Sequence, residues 1–209
     1  MRIAGIILAG GQSRRMDGRD KAMLPFGDRR LIDHVHERLS RQVETIAVNS
    51  NADAGGFANL NVPVIADDIH GFAGPLAGIH AGMEWAAAQP LPFSHILSVA
   101  TDTPFFPEEL LAGISQTILD ADGHIGIAAS GGRVHPTFGL WPVSLRSDLK
   151  HWLDDPANRR VTTWLQRHPH RVVEFPLVRA RTGDPFDPFF NINTPADIAA
   201  ARQHWKTAE

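Results

Sequence analysis

The chain has 209 residues, 43% of them hydrophobic, with 15 Pro and 18 Gly; this is a globular composition with enough apolar material to bury a core, so neither disorder nor size excludes catalysis. Twenty Lys+Arg against 23 Asp+Glu give a formal charge of −3, and without a basic excess to neutralise phosphate a general nucleic-acid binder is not expected. There is no Cys, which excludes disulfides, thiolate metal sites and a cysteine nucleophile.

The first element is the apolar run Ile3–Ala9. It is too short for a membrane span and leads into a polar loop, not a signal-cleavage site, so the expected location is the cytoplasm, with no membrane partner. The run reads as a strand buried on both faces and ends in Gly10-Gly11. The loop Gly10 to Lys21 has phosphate-binding chemistry: glycine lets backbone N–H groups approach an anion, and Arg15 and Lys21 can neutralise it. Its spacing fits neither established fingerprint. Lys21 is followed by Ala22, not Ser or Thr, and there is no G-x-G-x-x-G. From residue chemistry alone a basic surface loop remains the competing reading.

Leu31, Val35 and Leu39 share a helical face, and Thr45–Val48 and Val62–Ala66 read as further buried strands. Leu76 to Ala88 is helical, Ile96–Ala100 is a fourth strand, and Glu108 to Leu119 is a helix opened by Pro107. Strands alternating with helices in this way predict right-handed βαβ units and a mostly parallel sheet, a Rossmann-like α/β fold. In such a sheet the strand ends share one edge, where ligands bind. Strand one delivers the glycine turn there, strand two Asn49, strand three Asp67-Asp68 and strand four Asp102. Asp and Asn also favour strand-ending turns, which is the bland alternative for each alone. Asp102, directly after a buried strand, is well placed to hold Mg2+, which prefers hard oxygen ligands together with substrate phosphates; an Asp closing a turn before Pro104 is the alternative.

The second half changes character. Ile125–Ala129 and Val134–Leu140 flank Ser130-Gly131-Gly132-Arg133 as a hairpin. Pro142 is expected to start a helix with the stripe Leu145, Leu149, Trp152 and Leu153. Arg171–Phe175 is a strand, Thr182–Pro188 reads as turn throughout, and Phe189–Ile192 is a last short strand before a helix from Pro195. On that strand Asn191 and Asn193 would point to one side. Thr194-Pro195-Ala196-Asp197 supplies an N-cap, a first-turn Pro and a reciprocal acid, which leaves both Asn side chains available to a ligand. The 11 His are scattered without zinc spacing and read as solvated, whereas Trp141, Trp152 and Trp164 fall on apolar stripes and read as core. No linker divides the chain, so one α/β domain spanning 1–209 with antiparallel additions is expected.

Leu8-Ala9-Gly10-Gly11-x-Ser13-x-Arg15-Met16 with Asp20-Lys21 resembles the signature loop of nucleotidyltransferases that build dinucleotide-like products. Gly74-Pro75-Leu76-Ala77-Gly78, Asp102-Thr103-Pro104 and Asn191-x-Asn193-Thr194-Pro195-x-Asp197 resemble the molybdenum cofactor guanylyltransferase branch, in order and over nearly the whole chain. The resemblance implies Mg2+ as cofactor and transfer of GMP from GTP to the terminal phosphate of molybdopterin, releasing pyrophosphate. It implies GTP contacts at Leu8, Ala9, Gly10, Gly11, Lys21, Asn49, Asp67 and Asp102, with Asp102 also on the metal. Lys21, Arg15 and Asp102 would carry catalysis, and Asn191 and Asn193 would lie on the pterin side. The implied partners are GTP and molybdopterin, with transient contact to molybdoenzymes or other cofactor-biosynthesis proteins. The chain departs from the family loop at Asp17, where a Gly is usual, and at Thr101, where Cys is often found. Two other readings stay open: the same chemistry with another base or acceptor, as in a cytidylyltransferase of the molybdenum cofactor or a sugar-phosphate nucleotidyltransferase, and a non-catalytic nucleotide-binding protein that delivers cofactor.

Overall fold

A computed structural model describes residues 1–10, 21–69, 74–120, 123–179 and 183–205, with His204 and Trp205 described by backbone only. Gly11 and Arg15, with most of the glycine loop, lie outside the described residues.

The strands are β1 (Ile3–Leu8), β2 (Pro25–Phe26), β3 (Arg29–Arg30), β4 (Ile46–Asn49), β5 (Val64–Ile65), β6 (His95–Ala100), β7 (Ile125–Ser130), β8 (Arg133–Pro142), β9 (His170–Phe175), β10 (Val178–Arg179) and β11 (Pro185–Phe186). The helices are α1 (Leu31–Ser40), α2 (Pro75–Ala87), α3 (Leu110–Ile118), α4 (Arg146–Leu153), α5 (Val161–Leu165) and α6 (Pro195–Trp205). A seven-stranded sheet runs β5-β4-β1-β6-β8-β7-β9. β5, β4, β1 and β6 pair in parallel, β8 is antiparallel to both β6 and β7, and β7 pairs in parallel with β9. The C-terminal ends of β5, β4, β1, β6, β7 and β9 therefore face one edge. This is the expected mixed α/β architecture with antiparallel strands in the C-terminal half.

Two apolar layers cover the sheet. One packs α2, α4 and α5 against it, with Trp141 and Trp164 fully buried. The other packs α1 and α3 around Ile7, Leu39, Ile114 and Phe189. The strands read as continuous apolar runs because helices cover both faces.

Three local expectations are corrected. Pro142 does not open a helix. It ends β8, paired with His95, and the chain passes through a 3-10 turn at Val143–Leu145 before α4 begins at Arg146. A strand terminus tolerates a residue without an N–H donor. The turn-rich stretch contains β11, which pairs with β10, because Phe186 is buried against Phe105 and Phe190 and anchors the short ladder. Phe189–Ile192 is not a strand. The N–H groups of Phe189 and Phe190 are taken by the Asp187 side chain and carbonyl, and that of Ile192 by the Asp102 carbonyl. With those donors used, no ladder forms, and strand alternation does not explain the direction of Asn191 and Asn193.

The histidines also depart from expectation. His34, His80 and His135 are buried. His34 hydrogen-bonds the Phe26 carbonyl and His80 lies 3.0 Å from Asp68. Each has a polar partner inside the fold, which makes burial tolerable. Scattered spacing does not mean a solvated side chain.

Candidate active site

The expected polar residues do meet at the C-terminal edge of the sheet. On its β4–β5 side, the buried Asn49 amide donates to the Asp67 carboxylate (2.8 Å) and to the Ile65 carbonyl (3.3 Å). The other Asp67 oxygen accepts from the Asn51 amide (2.8 Å), and the Asp67 N–H donates back to Asn51 Oδ1 (2.8 Å). Asn51 is thus a site residue the sequence did not single out. Its only signal was a second Asn two positions after Asn49, in a loop of turn-formers.

The Gly74–Gly78 segment owes its composition to backbone geometry. Gly74 has φ +66°, a conformation that favours glycine, and Pro75 occupies the first turn of α2. A Cβ at Gly78 would lie 2.2 Å from Asn49 Oδ1 and 2.9 Å from a Leu8 methyl. Gly78→Ala is therefore expected to push Asn49 off Asp67, with an overpacking cost of about 1–3 kcal/mol. Thermal unfolding and nucleotide titration check this. A variant with wild-type melting and wild-type nucleotide affinity would show that Asn49 is free to move.

At the centre of the edge, Leu8 is buried at the end of β1, Ala9 follows half-buried, and Gly10 is exposed. The Ala9 N–H donates to the Asn49 carbonyl and the Thr101 N–H to the Leu8 carbonyl, so the three strand ends are locked in register. Asp102 follows β6. Burial pushes its carboxyl above the usual carboxylate range, and Lys21, with a hydrogen bond from Thr103, opposes that rise. Lys21 opens the 3-10 turn Lys21–Met23. Its Nζ lies 3.6 Å from Asp102 Oδ2, both side chains being 21% exposed, and donates to Asn193 Oδ1 at 2.5 Å.

The third contribution comes from the C-terminal segment. The Ile192 N–H donates to the Asp102 carbonyl at 2.7 Å. Asp197 accepts from the Asn193 and Thr194 N–H groups (2.8 and 2.7 Å), while Thr194 Oγ1 accepts from the Asp197 N–H (3.1 Å), the reciprocal cap anticipated from sequence. These bonds hold the Asp197 carboxyl below its ordinary range. The cap leaves the Asn191 and Asn193 side chains to other work. Asn191 is exposed and has no hydrogen bond among the described residues, whereas Asn193 meets Lys21.

Asn49 and Asp67 on one flank, Lys21 and Asp102 in the middle, and Asn191 and Asn193 on the other make a polar sheet edge with one half-buried carboxylate and one ammonium at its centre. Residues 5–172 match the MobA-like NTP transferase domain model. The chain belongs to the MobA-like nucleotidyltransferase family. It is 47% identical over 199 residues to a molybdenum cofactor guanylyltransferase from Mesorhizobium japonicum (95% of this chain, 94% of the relative). It is 50% identical over 206 residues to one from Rhizobium leguminosarum bv. trifolii (99% and 94%). The crystal structure of molybdopterin-guanine dinucleotide biosynthesis protein A from Archaeoglobus fulgidus superposes with TM-score 0.72 at 25% identity, covering 97% of this chain and 98% of that one. As a member of this family the protein is a nucleotidyltransferase, a transferase of the molybdenum cofactor biosynthesis type. No helix among its described residues is long and apolar enough to cross a membrane.

Proposed function

We propose that the protein, as one nucleotidyltransferase domain in the cytoplasm, transfers GMP from GTP to the terminal phosphate of molybdopterin. The products are molybdopterin guanine dinucleotide and pyrophosphate. The observation that carries this reading is the meeting of Lys21 with both Asp102, at the end of a parallel strand, and Asn193, on the C-terminal segment, in a chain 47–50% identical to two molybdenum cofactor guanylyltransferases. On this reading Leu8, Ala9, Gly10 and Gly11 present backbone to the GTP, Asn49 and Asp67 shape the pocket on their flank, and Asn191 and Asn193 face the pterin.

Asp102 suits Mg2+. It offers a hard carboxylate donor at the crevice edge, partly open to solvent, and Mg2+ is commonly held by one or two carboxylates with waters and substrate phosphates completing the shell. Bound there, Mg2+ would supply positive charge for the triphosphate and the departing pyrophosphate. The protein's own residues do the rest. The molybdopterin phosphate oxygen attacks the α-phosphorus in line, the bond to the bridging oxygen breaks, and pyrophosphate leaves with that electron pair. Both reactants are anions, so Lys21 lowers their repulsion where they approach, with Arg15 from the glycine loop, and the strand ends fix their orientation. No general base is needed, because a phosphate monoester is ionised near neutral pH.

Pyrophosphate release with molybdopterin and each of the four nucleoside triphosphates tests this reading. GTP is expected to exceed ATP and CTP in kcat/KM, because groups matched to guanine are left unpaired by another base; a CTP preference would assign the protein to cytidylyl transfer. Binding without turnover would support cofactor delivery. The flank assignment has its own test. Calorimetry of the double variant Asn191→Ala with Asn193→Ala is expected to show GTP affinity retained and molybdopterin affinity reduced about tenfold or more, the loss of one to two hydrogen bonds to a charged ligand. Weakened GTP binding with normal molybdopterin binding would reverse the two sides.

A further inference from the structure

A second polar cluster lies at the same sheet edge, beyond Asp102. Ser130, the last residue of β7, is 2% exposed, and His135, in β8, is 8% exposed. Ser130 Oγ is 2.6 Å from Asp187 Oδ1 and 2.7 Å from His135 Nε2. An ionised carboxylate only accepts, so the hydroxyl donates to Asp187 and accepts from His135, whose proton is thereby assigned to Nε2. Burial holds His135 below the usual imidazole range, with Asp187 opposing the shift. Here the hydroxyl stands between acid and imidazole. Nucleophile activation needs the imidazole in the middle, taking the hydroxyl proton. The cluster is therefore not a hydrolytic triad, and it needs another reason to be polar and buried.

That reason lies in what Asp187 holds. The same Oδ1 accepts the Phe189 N–H at 2.9 Å, and the Phe189 ring stacks on His135 with centroids 4.3 Å apart and planes 17° apart. Three residues later the Ile192 N–H is fixed to the Asp102 carbonyl, and Asn193 to Lys21. The segment 187–193 is thus pinned at both ends and irregular between them, with no ladder to define its path. We propose that Ser130, His135 and Asp187 form a clasp that positions this segment, and through it Asn191 and Asn193, for the phosphorylated acceptor. They are positioning residues, acting through the segment and not on the reacting atoms. The inference rests on the assignment of Asn191 and Asn193 to the acceptor side.

The test compares Asp187→Ala, Asp187→Asn and Ser130→Ala by GTP calorimetry and by KM and kcat for molybdopterin, beside the Asn191→Ala/Asn193→Ala double variant. Asp187→Ala is expected to raise the molybdopterin KM by about 10- to 100-fold, the range for losing the support of a ligand-positioning group, with the GTP Kd within about twofold of wild type. Asp187→Asn is expected to restore most of that loss, because an amide oxygen still accepts from both Ser130 and the Phe189 N–H. Ser130→Ala is expected to fall between the two, and it decides the matter if Asp187→Ala does not fold. An unchanged molybdopterin KM in Asp187→Ala or Ser130→Ala, or equal weakening of both substrates, overturns the clasp. So does an Asn variant as poor as the Ala variant. If the double Asn variant loses molybdopterin while the clasp variants do not, the clasp alone fails; if it keeps molybdopterin, the acceptor-side assignment fails and the clasp with it.

Discussion

Replacing Asp102 with Asn is expected to reduce GMP transfer by about a thousand-fold or more while the protein folds and melts at or slightly above the wild-type temperature. The two effects separate if, as proposed, the Asp102 side chain serves the ligand while only its backbone serves the fold. Its carboxylate is largely withdrawn from water, and Lys21, its ion-pair partner among the described residues, stands 3.6 Å away, so the charge pays a desolvation cost that this loose pair does not fully offset. Asn keeps the size and the capacity to accept from Thr103 but loses the charge. The Asp102 backbone carbonyl, which receives the Ile192 N–H, is untouched by the substitution. On the proposed reading the substitution removes the anchor for Mg2+, and metal-centred charge stabilisation is worth several kcal/mol, each 1.36 of which is tenfold in rate, at roughly room temperature. Pyrophosphate release at saturating Mg2+, with a thermal melt of the same sample, measures both. Turnover near wild type would remove Asp102 from the metal site; a collapsed melting temperature would make it a structural residue.

Lys21→Ala is expected to lower kcat/KM by about 2–4 kcal/mol, roughly 30- to 1000-fold, the scale for removing one charge-assisted contact at a site of developing negative charge. The structure adds a second expectation. Because Nζ holds Asn193 Oδ1 at 2.5 Å as well as facing Asp102, its loss frees both, and on the proposed assignment of sides both substrate affinities should fall. Lys21→Arg is expected to restore only part of the rate. The guanidinium keeps the charge, but its planar fork does not reproduce a compact ammonium seated between a carboxylate and an amide. Single-turnover rates and calorimetry for the three proteins test this. An unchanged rate in Lys21→Ala would make the ammonium a surface charge.

Much of the fold was legible because its signals are local and strong. The β1, β4 and β6 runs are mostly apolar, and the Leu31–Leu39 and Leu76–Ala88 stripes have helical spacing, so order and class followed. The cap at Thr194–Asp197 was legible for the same reason, since all its donors and acceptors lie within five residues. The site was legible as a set of strand-ending polar residues but not as a geometry. That Lys21 touches Asn193 depends on the path of a segment with no regular structure. Where the segment between Asp187 and Asn193 was misread as a strand, its backbone donors had been claimed by a side chain and by carbonyls, one of them more than eighty residues away in the chain. The clasp was invisible for a related reason. Ser130 looked like part of a glycine turn, His135 like one more dispersed histidine, and Asp187 like loop chemistry; only tertiary pairing joins them.

The Lys21–Asn193 contact spans 172 positions of a 209-residue chain, and every strand of the seven-stranded sheet is complete by Phe175. Such distant contacts form late, because the entropy of closing the intervening chain must be met before they give anything back. The Lys21–Asn193 contact is therefore expected to close after the sheet has formed in refolding.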